Sequence, residues 1–335
     1  MHLPAENMVL NFLVLFASFY VLAKSADFLV DGAVGIAVKA RIDKVIIGIV
    51  LVGFATTAPE FTVSLMSAIR GFPEIALGNA IGSVIVDDGV ALALAILVAP
   101  KAITINPKVL KRVGLFLVLI DLFAFALAAN GIISRLEGFM LLVILAGYLI
   151  VMVQSSRKNA GLVPPPEEEI EEHIKPGSLG KQLLFFLIGV AGVIIASEFL
   201  VSSSLNIARF FQVPEVIIGL TIIAIGTSLP EIATCITAAR KGHGDLAFGD
   251  IIGADILNIL WIIGAAAAAN TIQVATNVIY FAFPSMIIMV LTMLLLARHK
   301  YTLHRWKGLV LITLYIAYIV SMLRFFYVPG GEMPF

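Results

Sequence analysis

VIIGIVLVGFATTAPEF (45–61) and VIIGLTIIAIGTSLPEI (216–232) stand 171 residues apart in one chain. Each is an apolar run that closes on two hydroxyl residues, a proline and a glutamate. The same offset aligns SADFLVDGAVGIA (25–37) with ASEFLVSSSLNIA (196–208), and ALGNAIGSVIVDD (76–88) with AFGDIIGADILNI (247–259). An ungapped match over more than sixty residues marks two copies of one structural unit.

The copies lie in a chain made for a bilayer. Of its 335 residues 60% are hydrophobic and 13% charged, against about 25% charged in a soluble domain. Mean hydropathy is +1.05. A spanning helix needs about 20 mostly apolar residues. Ten such stretches can be drawn, at 8–37, 45–69, 74–99, 113–130, 134–154, 182–206, 214–239, 245–268, 275–297 and 308–328. The expected fold is all-α and polytopic, with ten transmembrane helices in two five-helix repeats. Five is odd, so the copies enter the membrane from opposite sides, an inverted arrangement found in many secondary transporters. The first repeat spans 1–154 (first α-repeat 45–89), and the second 182–335 (second α-repeat 216–260). Between them, 155–181 is a linker rich in proline, glycine and acids. Its acidic run 167–172 lacks the spaced ligands of a calcium loop and reads as a solvated charge cluster.

Charge sets the orientation. Alternate connections between the ten stretches hold 17 Lys and Arg on one side of the membrane and only Arg70, Arg135, Arg209 and Arg324 on the other. The positive-inside bias puts the richer set, with the linker, in the cytoplasm of a cell-membrane protein, and both termini outside. The 22 basic and 22 acidic residues cancel, so net charge points to no nucleic-acid partner. A single cysteine, Cys235, rules out a disulfide framework and a multi-cysteine metal site. The N-terminus has no basic n-region, so the first apolar stretch reads as a retained helix.

The repeated polar residues carry the chemistry. A charged side chain at the bilayer centre costs about 2.5–3.5 kcal/mol, so the paired intramembrane acids Glu60 and Glu231 are candidate functional groups. Pro59 and Pro230 break each helix and free a carbonyl, tolerated in a membrane only where it lines a cavity or meets a ligand. Thr56 and Thr227 lie four residues before the acids, and Thr57 and Ser228 three before, on one helical face. In the next helix Asn79, Ser83 and Asp87 form a polar stripe, repeated as Asp250, Ala254 and Asn258. The result is a cage of oxygen ligands, which suits a hard cation such as Ca²⁺. Soft metals would want thiolate or imidazole. Cys235 reads as a small packing residue. No nucleophile, His–acid dyad or metal-hydrolase pattern appears, so no enzyme and no cofactor is expected.

At these residues the sequence resembles the cation/Ca²⁺ exchanger superfamily, in its Na⁺/Ca²⁺ exchanger branch of prokaryotic type. FATTAPE (54–60) with GNAIGSV (78–84), and IGTSLPE (225–231) with GDIIGAD (249–255), match the family's paired signatures. The resemblance implies that Glu60 and Glu231, helped by Thr56 and Thr227, are the central Ca²⁺ ligands. Thr57, Ser228, Ser83 and the carbonyls near Gly53 and Ala224 would serve flanking Na⁺ sites, and Asp87 and Asn258 would complete the central pair. Relatives often carry Asn and Asp where Asp87 and Asn258 stand, a swap that preserves total charge. Ala254 replaces an expected serine, Asp250 an expected asparagine, and Asp88 is an extra acid. Asp255 is read as a hydrogen-bonding residue at a helix interface, the alternative being that it compensates for the hydroxyl missing at Ala254. The implied function is secondary active exchange of Ca²⁺ for Na⁺ by alternating access. The rivals are an H⁺-coupled or K⁺-dependent Ca²⁺ exchanger and, further off, a cation channel. The expected partners are Ca²⁺, Na⁺ and lipid, and the expected state is a monomer.

Overall fold

Long, mainly apolar sequence, interrupted by Lys24, Asp27 and Asp31 in the first and by Lys181, Glu198 and Arg209 in the second, produces the two longest helices, α1 (Met8–Lys39) and α6 (Leu179–Phe211), of 32 and 33 residues. At about 1.5 Å per residue each greatly exceeds a hydrocarbon layer of about 30 Å, so each must tilt or project. The structure is a computed structural model that describes residues 7–39, 54, 57–159, 178–211, 215–240 and 242–326. Helices α1 and α6 pack along their length in opposite directions. Asn206 Nδ2 donates to Asn11 Oδ1 at 2.9 Å, Gly192 faces Ser25, and Gly32 faces the Gln182–Phe186 backbone. Contacts that fall on one helix as they rise on the other define an antiparallel pair. The two glycines bring the backbones close, as small residues do between membrane helices.

The remaining helices are α2 (Ala58–Ile69), α3 (Pro73–Val98), α4 (Pro107–Ala128), α5 (Arg135–Asn159), α7 (Val216–Thr227), α8 (Leu229–Arg240), α9 (Gly244–Ala269), α10 (Val278–Arg298) and α11 (Arg305–Phe326). Among the described residues seven helices are long and apolar enough to cross a membrane, or eight when α7 and α8, bent by 42°, count as one broken span. The chain is thus an all-α polytopic membrane protein. Of the ten expected stretches, 45–69 is described mainly from Thr57 onward. Stretch 113–130 corresponds to α4, which begins six residues earlier, at Pro107, and takes in Lys108, Lys111 and Arg112. With Lys108, Lys111 and Arg112 in its first turns and Asp121 in its middle, α4 carries too many charges to stand among the seven. Helix α5 runs to Asn159 and α6 begins at Leu179, so helix extends into both ends of the expected linker, whose acidic run lies outside the described residues.

Elements recur at the offset seen in the sequence. Helix α2 recurs as α8 and α3 as α9, each 171 residues later, including a π-helical segment at Asp87–Leu92 and at Asn258–Ile263. Such i→i+5 turns are frequent at functional positions. Helices α3 and α9 form the centre, with 78% of each buried, against 28% of the apolar part of α1. Two short antiparallel ladders tie the connections together. One joins β1 (Ile103–Thr104) to β4 (Thr302–Leu303), and the other joins β2 (Ile132–Ile133) to β3 (Ile272–Gln273). Each ladder takes one strand from the first repeat and one from the second.

Beside the β1–β4 ladder the chain buries a charge. Lys300 and Tyr301 adopt φ of 60° and 51° in the turn after α10. This turn gathers the carbonyls of Leu296, His299 and Thr302 around Lys307 Nζ at 2.7, 2.7 and 2.6 Å. The ammonium satisfies acceptors that the helix end leaves without partners, and its charge suits the negative end of the helix dipole. The first repeat closes the matching corner differently. There Ser134 N and Oγ donate to Glu137 Oε2 at 2.6 and 2.7 Å in a capping box. Lys307→Met strips three part-buried carbonyls of their donor. It should cost about 2–3 kcal/mol and lower the thermal unfolding midpoint of the purified protein.

Candidate ion-binding site

Proline decides where the broken helices restart. Pro59 and Pro230 sit in the first turns of α2 and α8, where a missing N–H costs nothing, and the turns begin alike. Phe61 N donates to Thr57 O and Ile232 N to Ser228 O, both at 3.0 Å. Pro230 has no N–H for the Gly226 carbonyl, which leaves that oxygen without its usual helical partner. Glu60 and Glu231 therefore lie in the first turn of a helix, where backbone N–H groups point outward and negative charge is favoured.

These carboxylates are buried with the rest of the polar set. Glu60, Glu231, Thr57, Thr227, Ser228, Ser83, Asp87 and Asn258 are each 0–1% exposed. Among the described residues, Thr57 Oγ1, Ser83 Oγ, Ser228 Oγ, Asp87 Oδ1, the side-chain O and N of Asn258, and both carboxylate oxygens of Glu60 and Glu231 accept or donate no hydrogen bond. A buried polar atom left unpaired costs about 1–3 kcal/mol, and more when charged. The orphaned atoms are almost all oxygens, the donor type that a hard cation takes.

The two repeats meet here. Thr227 and Ser228 of the second repeat face the Glu60 carboxylate of the first without closing a hydrogen bond on it, and Ser228 also faces Asp87. Glu231 lies within electrostatic range of Glu60, Asp87 and Asp250. Asn79 is the tie. Its Nδ2 donates to Ser64 Oγ at 2.9 Å and to Glu60 O at 3.3 Å, while its Oδ1 accepts from Thr227 Oγ1 at 3.2 Å. The one Thr227 hydroxyl proton has Ile223 O at 3.0 Å as an alternative acceptor, so it is committed to the protein either way and its lone pairs remain for a cation.

Ala224 is buried, and its carbonyl already accepts from Ser228 N at 3.0 Å and from Thr227 Oγ1 at 3.4 Å. Thr56 and Gly53 lie outside the described residues. Cys235 is buried, with Sγ directed at Ala247 O, as a packing residue would be. Among the described residues no three His, Cys, Asp or Glu side chains converge as a metal cluster, so hydroxyl, amide and carbonyl oxygens must complete any coordination shell.

Ala254 is buried and offers no hydroxyl. Asp250 is half-buried beside Thr234. Asp255 makes no interface hydrogen bond among the described residues. Its carboxylate instead lies within electrostatic range of Asp88 and Asp121, also buried and unpaired. Asp121 escapes the repeat comparison because its counterpart is Thr292. A lone acid within the apolar run LFLVLIDLFAFALA (115–128) is the signal that marks it.

Comparison with known proteins bears on this geometry. The family described as "Sodium/calcium exchanger protein" matches residues 10–154 and 181–324. The chain is 27% identical to the sodium/calcium exchanger MaX1 of Methanosarcina acetivorans, over 94% of this chain and 99% of that protein. It is 34% identical to the inner membrane protein YrbG of Escherichia coli, over 78% and 80%. It also superposes on the sodium-calcium exchanger NCX_Mj soaked with Na⁺ and Ca²⁺, with a TM-score of 0.63 and 26% identity over 94% of this chain and 99% of that one.

The Asn79 tie makes a direct forecast. Asn79→Leu releases Thr227 and Ser64 without touching a carboxylate. Divalent-cation affinity, measured by titration calorimetry, should fall about 10–100-fold, and the buried groups left without a partner should also cost about 1–3 kcal/mol of stability and lower the thermal midpoint.

Proposed function

The chain belongs to the sodium/calcium exchanger protein family, and from that membership we propose how its own residues carry out the exchange. It is a secondary active Na⁺/Ca²⁺ antiporter of the membrane. The single observation that carries the mechanism is the set of buried, unpaired oxygens on the first turns of α2 and α8 and along α3 and α9. Glu60 and Glu231, with Thr56 and Thr227, hold Ca²⁺, and Asp87 and Asn258 complete the central pair. Thr57, Ser228, Ser83 and the carbonyls near Gly53 and Ala224 hold Na⁺. Both ions draw on the same hydroxyls and carboxylates, so loading with one excludes loading with the other. That competition couples the two fluxes.

Alternating access then requires the site to open on each side in turn. The antiparallel, peripheral pair α1 and α6 would slide past the central helices for this, in keeping with an inverted ten-helix repeat. Domain limits of 1–154 and 182–335, cytoplasmic residues 155–181, external termini and a monomeric state complete the proposal. The ladders support the topology. Pairing of β1 with β4 requires the connections before α4 and before α11 to share one face, and pairing of β2 with β3 requires the same of two others. Ten alternating spans meet both conditions.

Ca²⁺ uptake into Na⁺-loaded proteoliposomes, set against K⁺-loaded and pH-gradient controls, tests the exchange. Uptake should require the outward Na⁺ gradient and be lost in Glu231→Gln. Uptake driven by the pH gradient, or uptake that needs K⁺, would replace Na⁺ coupling with one of the rival couplings, and uptake without any gradient would indicate a channel. Topology is tested in intact cells on a Cys235→Ser background. Asn130→Cys should react with an impermeant maleimide and Lys101→Cys should not; the reverse pattern would invert the assignment.

A further inference from the structure

A cleft of about 370 Å³ lies between the connection that carries β1 and the connection that carries β4. Its polar lining comes from Lys101, His304 and Arg305, and its apolar lining includes Ile96, Leu303 and Trp306. All three polar side chains are exposed. The surrounding sequence is basic without relief. Residues 97–112 contain Lys101, Lys108, Lys111 and Arg112, and residues 297–307 contain Arg298, Lys300, Arg305 and Lys307, with no Asp or Glu in either stretch. Asp245 lines a separate cavity that shares the wall 99–102.

We propose that this cleft seats the phosphate headgroup of an anionic membrane lipid. Arg305 spends one N–H on Ala99 O at 3.4 Å, and a guanidinium has five to offer. Lys101 and His304 supply further donors from the facing wall and from the cleft floor. The β1–β4 pairing and the Ile105 N to Tyr301 O bond at 2.8 Å hold the two connections together, and Lys307 fixes the turn of the second, so the pocket is formed before a ligand arrives. The volume falls within the range of about 300–1,000 Å³ usual for small-molecule sites.

Position and apolar surface favour a lipid over a free phosphate. The cleft lies where two spanning helices end and two begin, which is the depth of the headgroups. Trp306 is 50% exposed, as interfacial tryptophans are, and Leu309 and Val310 on the same face of α11 are 55% and 40% exposed. Those side chains continue the cleft as an apolar track that an acyl chain can follow. A soluble anion would use the charges and leave the track bare. None of the ion-site residues line this cleft, so lipid binding is separable from ion binding.

The full-length purified protein in detergent is titrated with short-chain phosphatidylglycerol, phosphatidylcholine or glycerophosphate, with thermal midpoint and lipid retention in native mass spectrometry as readouts. Phosphatidylglycerol should raise the midpoint and be retained where phosphatidylcholine is not, and added salt should weaken the effect. Lys101→Gln should lose about fivefold in apparent affinity, and Lys101→Gln with Arg305→Gln more than that, at about fivefold per charge near a membrane surface. Lys101→Gln should leave Na⁺-driven uptake in phosphatidylcholine vesicles unchanged, which separates a lost lipid site from a misfolded protein. Equal effects of the two lipids, or an affinity indifferent to Lys101→Gln, would overturn the proposal. Glycerophosphate binding as tightly as the lipid would overturn it too, by assigning the cleft to a soluble anion.

Discussion

Everything at the centre of this protein follows from holding carboxylates in an apolar medium with no Lys or Arg paired to them among the described residues. The hydrogen bonds among the described residues do not reach the side-chain oxygens of Glu60 or Glu231, and the Arg70–Glu198 ion pair at 3.1 Å belongs to another part of the molecule. An uncompensated buried ion is among the most costly features a fold can carry. The first turns of α2 and α8 lessen that cost with their partial positive charge, and in the proposed exchange a cation held by these oxygens would remove much of the rest.

That constraint explains the division between centre and edge. Helices α3 and α9 carry the polar stripes and are the most buried spans, because oxygens in a bilayer must be shielded by other helices. Helices α1 and α6 carry the apolar face toward lipid and touch each other through glycines and a pair of asparagines. The polar centre and the peripheral pair are thus built from different kinds of surface, which is the division that the proposed sliding of α1 and α6 calls for.

Much of this was legible in the sequence. Hydropathy located the apolar stretches, since the membrane imposes length and composition directly. The repeat located Glu60 with Glu231 and Asp87 with Asn258, because the same chemistry is written twice. What lay beyond reading depends on contacts across the repeats. Asn79 reads as one member of a stripe, yet its work is to hold Thr227 from the other half. Lys307 reads as one more basic residue for topology, yet it is buried against three carbonyls. Asp255 reads as an interface hydrogen bond, whereas its geometry sets it with Asp88 and Asp121. Such roles follow from the packing of distant segments, which periodicity does not encode.

The ladders also govern the order in which this protein can be made. Ile103 pairs with Leu303 and Ile133 with Ile272, and Glu60 meets Thr227 and Ser228 only when the second repeat is present. Contacts this far apart along the chain form late, after the entropy of closing very long loops has been overcome. Until the segment carrying α7, α8 and α9 has been made, Glu60, Asp87 and Asp88 lack the groups that face them in the finished fold. An acid in that interval has no partner from the later half of the chain, so its charge meets the apolar medium before the fold can shield it.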